Sequence, residues 1–401
     1  MKRRGKGHAG GSGSPRGRMR VGVIFGGRSV EHEVSLVSAR AIMQALDPRR
    51  YEVVPIGITR QGRWVLGDAH CALPPDPSVG GLVRLRNGGR EVGLAAFPRS
   101  SLGTARAGGR ARRAAGPGRL DVVFPIVHGT GGEDGTLQGL LDLADIPYVG
   151  AGVLGSAVGM DKAMMKVIFR DAGLPIVDHR VIRSRELAAG RDRFVHAVEE
   201  SFGYPCFVKP ANGGSSVGVS KAKDRGQLLK ALDVAARYDR KIIVERAVDG
   251  REIECSVLGN DEPEASVPGE IIPANEFYDY RAKYIDENSR LLIPAPLTDE
   301  QTQRVRELAV KAFKALDLCG MARADFFLDR ASEAIFINEL NTIPGFTPIS
   351  MYPKLWEASG LPFPALVDRL IRLALERHAE KKSLVTTYRP TSNGRRALTK
   401  G

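Results

Sequence analysis

Short apolar runs alternate with amphipathic stretches through the first part of the chain. Val21 to Phe25 is a continuous apolar run closed by Gly26-Gly27, and a helical pattern follows from Glu31 to Leu46 with Ser29 placed as its N-cap. Val53 to Ile58 and Leu120 to Val127 read as two further buried strands. A polar glycine loop, a helix from Leu137 to Leu143 and a strand from Pro147 to Val149 come next. Strands that alternate with helices predict an α/β first domain with a doubly wound parallel sheet.

The pattern then changes. Lys162 to Ala172 reads as a helix stopped by Gly173 and Pro175, and Asp224-x-x-Gln227 opens a second helix that runs to Tyr238. A strand-loop-strand unit lies between them, which predicts a small α+β domain. Beyond it come strands Lys241 to Val244 and Glu252 to Leu258, a capped helix Thr298 to Leu316, and two β runs, Arg323 to Leu328 and Ala334 to Asn341. A closing helix, Pro364 to Arg377, places Leu366, Leu370 and Leu373 on one face as core. The expected division is a basic extension over 1–18, an N-terminal domain over 19–158 with a low-complexity insertion at about 74–119, a central lobe over 159–239, a C-terminal lobe over 240–380 and a tail over 381–401.

Composition narrows the class. The 401 residues are 43% hydrophobic and 26% charged, and no apolar run approaches the ~20 residues that span a bilayer. The basic N-terminus is followed by glycine and serine instead of a signal-peptide apolar stretch, so a cytoplasmic protein is expected, with Met19 a candidate start. Cys71, Cys206, Cys255 and Cys319 are far apart and form no Cys-x-x-Cys pair, which predicts buried thiols and neither a zinc site nor a disulfide framework. The net charge of +13 is concentrated in 1–20, 84–119 and 377–401, and the rest of the chain is net −8. Basicity confined to Gly/Ala/Arg-rich segments reads as disordered decoration and argues against a nucleic-acid partner.

Five groups of residues carry candidate chemistry. Lys209 stands on a strand just before a loop in which Gly213, Gly214 and Gly218 let backbone approach an anion while Ser215 and Ser216 add hydroxyl donors. That is a phosphate-holding device, or else a plain turn. Lys162 opens its helix after Met160-Asp161, and Glu245-Arg246-Ala247-Val248 is a hinge whose backbone fits an adenine edge, with Glu252 placed for ribose hydroxyls; each acid also reads as a strand-end charge. Ile337, Glu339 and Asn341 are expected on one strand face with Asp325 on the neighbouring run, a set of hard oxygens suited to Mg²⁺ or to a solvated hairpin face. Arg323 shares the face of Asp325, where a guanidinium can neutralise charge developing on a reacting carbonyl or phosphoryl group; the Gly345 amide is a second donor, and Ser350 and Met351 follow within reach of a small carboxylate. Glu276 to Arg290, with Phe277, Tyr278, Tyr280 and Tyr284, reads as a lid or an exposed edge strand.

In this order and spacing the segments resemble the ATP-grasp superfamily and, more closely, the D-alanine-D-alanine ligase family. The likeness runs from about Met19 to Arg377 and rests on Gly26 to Ser35, His128 to Thr136, Met160-Asp161-Lys162, Lys209 to Ser220, Phe277 to Tyr284 and Asn338 to Thr347. It implies a three-domain ATP-grasp architecture and a reaction in which ATP phosphorylates the carboxylate of one D-alanine and the amine of a second attacks the acyl phosphate. On that likeness Glu31 holds the first ammonium with help from His128, and Lys162 and Lys209 clasp the nucleotide phosphates. Ser215 links Glu31 to Tyr284, and Lys283 meets phosphate. Arg323 and Gly345 stabilise the tetrahedral centre, while Ser350 and Met351 seat the second carboxylate. It also implies a pair of Mg²⁺ or Mn²⁺ ions and a homodimer built through the first domain.

Sibling ligases that join D-alanine to D-lactate or D-serine share the framework; Tyr284 and Lys283 favour an amine acceptor. A non-enzymatic nucleotide-binding or nucleic-acid-binding protein would leave the metal ligands without a purpose. A dinucleotide dehydrogenase is disfavoured, because Gly26-Gly27-Arg28-Ser29 lacks the spaced glycines that approach a pyrophosphate.

Overall fold

A computed structural model of the chain describes residues 17–66, 90–94, 102–104, 119–272 and 290–386. The first sheet is built from β1 (Met19–Gly26), β2 (Tyr51–Ile58), β3 (Trp64–Leu66), β4 (Arg90–Leu94), β5 (Leu102–Thr104) and β6 (Val122–Ile126), in the order β5-β4-β3-β2-β1-β6. It is parallel only across β2-β1-β6; β3, β4 and β5 pair antiparallel. Within the expected low-complexity insertion at about 74–119, β4 and β5 extend the sheet. Pro147 to Val149, expected as a strand, makes only an isolated bridge from Tyr148 to Val123.

Alternation along β1 sorts its side chains between two cores. Val21, Val23 and Phe25 pack with Leu36 and Ile42 of α1 (His32–Ala45), while Ile24 joins Leu137 and Leu141 of α2 (Thr136–Leu143) on the other face. Helix α1 begins one residue later than expected. Its N-cap is Glu31, which makes no side-chain cap bond, and Ser29 Oγ accepts from the Glu31 amide.

After α3 (Val153–Met160) and α4 (Lys162–Asp171) comes a four-stranded sheet of β7 (His179–Arg183), β8 (Cys206–Pro210), β9 (Ser220–Ala222) and β10 (Lys241–Arg246), in the order β7-β10-β8-β9. Helices α5 (Ser184–Ser201) and α6 (Arg225–Ala235) cover it through Leu187, Val195, Leu228 and Leu232. Strand β10 was expected to open the C-terminal lobe, but it pairs with both β7 and β8, so the break near 239 cuts a sheet. Helix α4 was expected in the central lobe, yet its Met165 and Phe169 lie in the core of the next unit.

That unit contains β11 (Gly250–Gly259), β12 (Glu264–Ala265), β13 (Gly269–Ile272), β14 (Arg290–Leu292), β15 (Gly320–Asp329) and β16 (Ile335–Asn341), covered by α7 (Asp299–Ala315). Helices α8 (Met351–Ala358) and α9 (Phe363–Ser383) turn back onto the first sheet. Leu366 and Leu370 of α9 are fully buried against β1 and β6. Helix α9 passes the expected boundary at 380. Cys206 and Cys255 are buried, and burial pushes their thiols up to about 11 and about 12; Cys319 is half-buried, and Cys71 lies outside the described residues.

Candidate active site

The order β2-β1-β6 places a topological switch point at the carboxyl end of β1, where chain direction opens a crevice. Two glycine-rich turns meet there. Gly26 and Gly27 adopt φ of 91° and 103°, and a Cβ on Gly27 would lie 2.7 Å from Val127 Cγ1. Ser35 clamps the two strand ends, accepting from the Gly26 amide at 2.7 Å and donating to the Ile126 carbonyl.

Glu31 stands at the mouth of this crevice, 6% exposed. Its Oε1 accepts from Ser215 Oγ across the interface with the central loop, and its Oε2 has no hydrogen-bond partner among the described residues. A Cβ on Gly129 would lie 2.7 Å from that oxygen, and one on Gly214 would overlap it. The carboxylate is thus seated between two residues that lack side chains, on the wall of a small cavity, with Oε2 itself buried. A buried, half-satisfied carboxylate of this kind calls for a cationic ligand group.

Two cavities meet at a common wall. The larger, about 570 Å³, lies between the central and C-terminal sheets and is lined by Lys209, Ser216, Glu245, Val248 and Glu252. The smaller, about 100 Å³, is lined by Glu31, His128, Arg323, Gly345, Ser350 and Met351. Lys162, Gly214, Ser215, Glu339 and Asn341 face both. Asp325 lines the larger alone. Tyr284, Lys283 and the rest of the expected lid at 276–289 lie outside the described residues.

In the larger cavity the glycine-serine loop takes left-handed backbone at Ser215 (φ 49°), Ser216 (φ 57°) and Gly218 (φ 76°), so two of the three positive-φ positions are serines. Gly213 and Gly214 do not supply the positive φ. Lys162 donates to the Gly213 carbonyl at 2.9 Å and lies 3.0 Å from Glu339 Oε2. Lys209 is 2.6 Å from Glu245 Oε2, and Lys166, a residue the sequence reading passed over, is 2.8 Å from Glu245 Oε1. Glu245 is 3% exposed. Burial pushes its carboxyl up, but the two ammoniums outweigh that and hold it well below the usual carboxylate range. Burial alone would lower Lys209, and the Glu245 and Glu339 charges reverse the sign and raise it. Burial pushes Lys166 down, opposed by its ion pair with Glu245. The Glu245 side chain, expected at the hinge surface, is therefore committed beneath it. The Arg246 and Ala247 amides are also used, by the Asp178 and Pro205 carbonyls at 2.9 and 3.1 Å.

The face expected to carry metal ligands differs from simple alternation. Asp325 pairs in register with Glu339, but Phe326 pairs with Ile337, so a bulge absorbs Asn338. Ile337, expected on the face of Glu339 and Asn341, is fully buried in the opposite core, and Asn338 joins the cavity wall. Arg323 grips Asp325 through two bonds of 2.7 and 2.8 Å and lies 3.0 Å from Glu254 Oε2; Asn341 Nδ2 donates to Asp325 Oδ2 at 2.9 Å. No group of three or more His, Cys, Asp or Glu side chains among the described residues forms a metal site by itself. Glu339 and the Asn341 amide oxygen at the junction of the cavities, with Asp325 beside them on the wall of the larger, nevertheless fit a hard divalent cation that completes its shell with phosphate oxygens and water.

In the smaller cavity His128 is 3% exposed, and both ring nitrogens are engaged. Nδ1 donates to the Ile343 carbonyl at 3.1 Å, and Nε2 meets Ser38 Oγ at 3.1 Å, which also accepts the Phe346 amide at 3.2 Å. Burial lowers the imidazole pKa. The ring therefore fixes the Ile343–Phe346 turn that carries Gly345. Ser350 Oγ accepts from the Thr347 amide at 3.0 Å, and a Cβ on Gly345 would fall 2.6 Å from that oxygen. Sequence reasoning also missed Glu133, whose carboxyl is pushed up to about 8 by burial and then by the Glu31 charge. Both omissions had signals: Lys166 follows Lys162 by one helical turn, and Glu133 sits inside the His128 to Thr136 motif.

The family described as "D-ala D-ala ligase N-terminus" matches residues 20–151, and "D-ala D-ala ligase C-terminus" matches residues 168–372. The chain belongs to the D-alanine-D-alanine ligase family. Relatives named D-alanine--D-alanine ligase include one from Caldicellulosiruptor bescii, 48% identical over 92% of this chain and 98% of its own length, and one from Thermoanaerobacter sp., 51% identical over 91% and 98%. The solved D-alanine-D-alanine ligase of Coxiella burnetii is 39% identical, covers 91% of this chain and 96% of its own, and superposes with a TM-score of 0.75. The VanG D-Ala:D-Ser ligase of Enterococcus faecalis is 33% identical, covers 89% and 99%, and superposes at 0.74. The architecture shared with these ligase-family structures is ATP-grasp.

Proposed function

We propose that this chain joins two D-alanines into D-alanyl-D-alanine at the expense of ATP, passing through an acyl phosphate and releasing ADP and phosphate for peptidoglycan precursor synthesis. One observation carries the reading. A cation-lined cavity of nucleotide size shares a wall with a small cavity that holds a half-satisfied buried carboxylate.

In this reading the adenine lies against the hinge near Val248, with Glu252 on the ribose. Lys162, Lys209, Ser215 and Ser216 hold the phosphates, with Lys283 as a further cation. Glu31 Oε2 accepts the ammonium of the first D-alanine, and His128 serves by holding the Gly345 turn. The first carboxylate then faces the terminal phosphate across the common wall. Phosphoryl transfer asks for alignment and charge neutralisation, and no serine or cysteine nucleophile is needed. The amine of the second D-alanine attacks the acyl carbon, Arg323 and the Gly345 amide stabilise the tetrahedral oxygen, and phosphate departs. Ser350 and Met351 seat the second carboxylate, and Tyr284 closes over the site with Ser215. Asp325, Glu339 and Asn341 would hold a pair of Mg²⁺ or Mn²⁺ ions, which when bound neutralise phosphate oxygens.

Three units suit this chemistry: an N-terminal domain, a central lobe ending after β10, and a C-terminal lobe that includes α4. The reading includes a homodimer through the first domain and a cytoplasmic location, both supported only by the likeness to the family. No helix among the described residues is long and apolar enough to cross a membrane. The test is ADP release by purified protein with Mg²⁺ and D-alanine, D-serine or D-lactate as acceptor. Turnover on D-alanine alone is expected; turnover that appears only with D-lactate or D-serine overturns the assignment.

A further inference from the structure

Beneath the larger cavity lies a charged group that is not part of its wall among the described residues. Lys166 is 1% exposed, on the core side of α4 beside Met165 and Phe169. Its ammonium is 2.8 Å from Glu245 Oε1 and 3.4 Å from the Asn338 carbonyl, while Lys209 takes Glu245 Oε2 at 2.6 Å and the Asn338 side-chain oxygen at 3.4 Å. Burying an ammonium at this depth is costly, and a methionine or leucine would fill the same space without that cost. The charge therefore needs a reason beyond packing.

Charge counting supplies one. A buried carboxylate facing one ammonium is a closed neutral pair, and Lys209 in such a pair would meet an anion with little net charge. Glu339 also acts on both lysines but is itself paired with Lys162 at 3.0 Å, so two ammoniums around Glu245 leave a net positive charge, and of the two only Lys209 reaches the cavity.

We propose that Lys166 is a positioning residue: its charge engages one oxygen of Glu245, so that Lys209 stays a net cation toward the nucleotide polyphosphate. The inference rests on the ATP reading of this cavity. Without Lys166 the single carboxylate would hold Lys209 for itself, and removing the Glu245 charge as well would release it.

Calorimetric titration of Mg·ATP into wild type, Lys166→Met and the double variant Lys166→Met/Glu245→Gln tests this, alongside unliganded melting curves and KM for D-alanine. Lys166→Met should weaken ATP about tenfold or more, the worth of one charge-assisted bond, with KM for D-alanine unchanged. The double variant should return to within about threefold of wild type. A folded Lys166→Met protein that binds ATP like wild type overturns the proposal, as does a folded double variant no tighter than the single. If Lys166→Met does not fold, the double variant decides against wild type by the same threefold and tenfold marks. Wild type that gives no heat with Mg·ATP would overturn the nucleotide reading itself, and this inference with it.

Discussion

Burial first, and the Glu31 charge second, favour the protonated form of Glu133. Its carboxyl moves from the ordinary 4.5 to about 8. Between those values the folded chain keeps a proton that the unfolded chain gives up. Stability from this group is therefore fully present below about pH 4.5 and is lost as pH climbs toward about 8. Glu133→Gln removes the titration while keeping an acceptor for the Gly129 amide, which Glu133 Oε1 now meets at 2.8 Å. Melting curves of both proteins across that window should show wild type losing ground to the glutamine variant as pH rises; a constant gap between them would refute the assignment.

At the scale of elements, the loop from Gly213 to Gly218 is where two lobes touch, and its glycines do different jobs. A Cβ on Gly214 overlaps Glu31 Oε2, whereas one on Gly213 meets only Pro210 Cβ at an ordinary 3.9 Å. Gly214→Ala should push the carboxylate off its position and raise KM for the first D-alanine roughly tenfold, as overpacking of about 1–3 kcal/mol allows. Gly213→Ala is the control and should leave that KM unchanged; steady-state kinetics on the two variants separates them. The sequence disclosed this loop, Lys209 and the strand pair carrying Asp325 and Glu339, because residue type and spacing expose glycine, lysine and period-two alternation. It did not disclose that Ser215 and Ser216 take the left-handed conformation, since serine carries no preference for it. The bulge at Asn338 was equally hidden, because one extra residue in β16 reverses the faces of everything before it and depends on pairing with β15. Lys166 was legible by its spacing from Lys162, but its burial was hidden for a third reason. Its partner Glu245 is 79 positions away on another element, so only the folded chain shows that the charge is buried and shared.

Across the whole molecule the hydrophobic cores do not follow the three sheets. Val21, Phe25 and Phe124 of the first sheet share one core with Leu258 and Met321 of the C-terminal sheet and with Leu366 and Leu370 of α9, while the central sheet closes a separate core around Leu228, Leu232 and Val208. Phe346 joins the halves, edge-on to Phe124 at 5.8 Å and tilted against Tyr352 at 5.5 Å. The molecule thus divides by its cores into a base, formed by the first and last thirds of the chain, and a central lobe that carries Lys209 and the Gly213 to Gly218 loop. Such a division suits closure of one body on another around substrate. Leu370→Ala tests it, since Leu370 is fully buried and its truncation should cost about 2–5 kcal/mol. Because Leu370 packs in the shared core, hydrogen exchange should accelerate together in β1 and β15, with β8 protected as in wild type. Leu232→Ala should do the reverse, speeding exchange in β8 while β1 and β15 stay slow. Exchange that rises in β1 alone after Leu370→Ala would mean the N-terminal domain opens by itself, and the two-body division would fail.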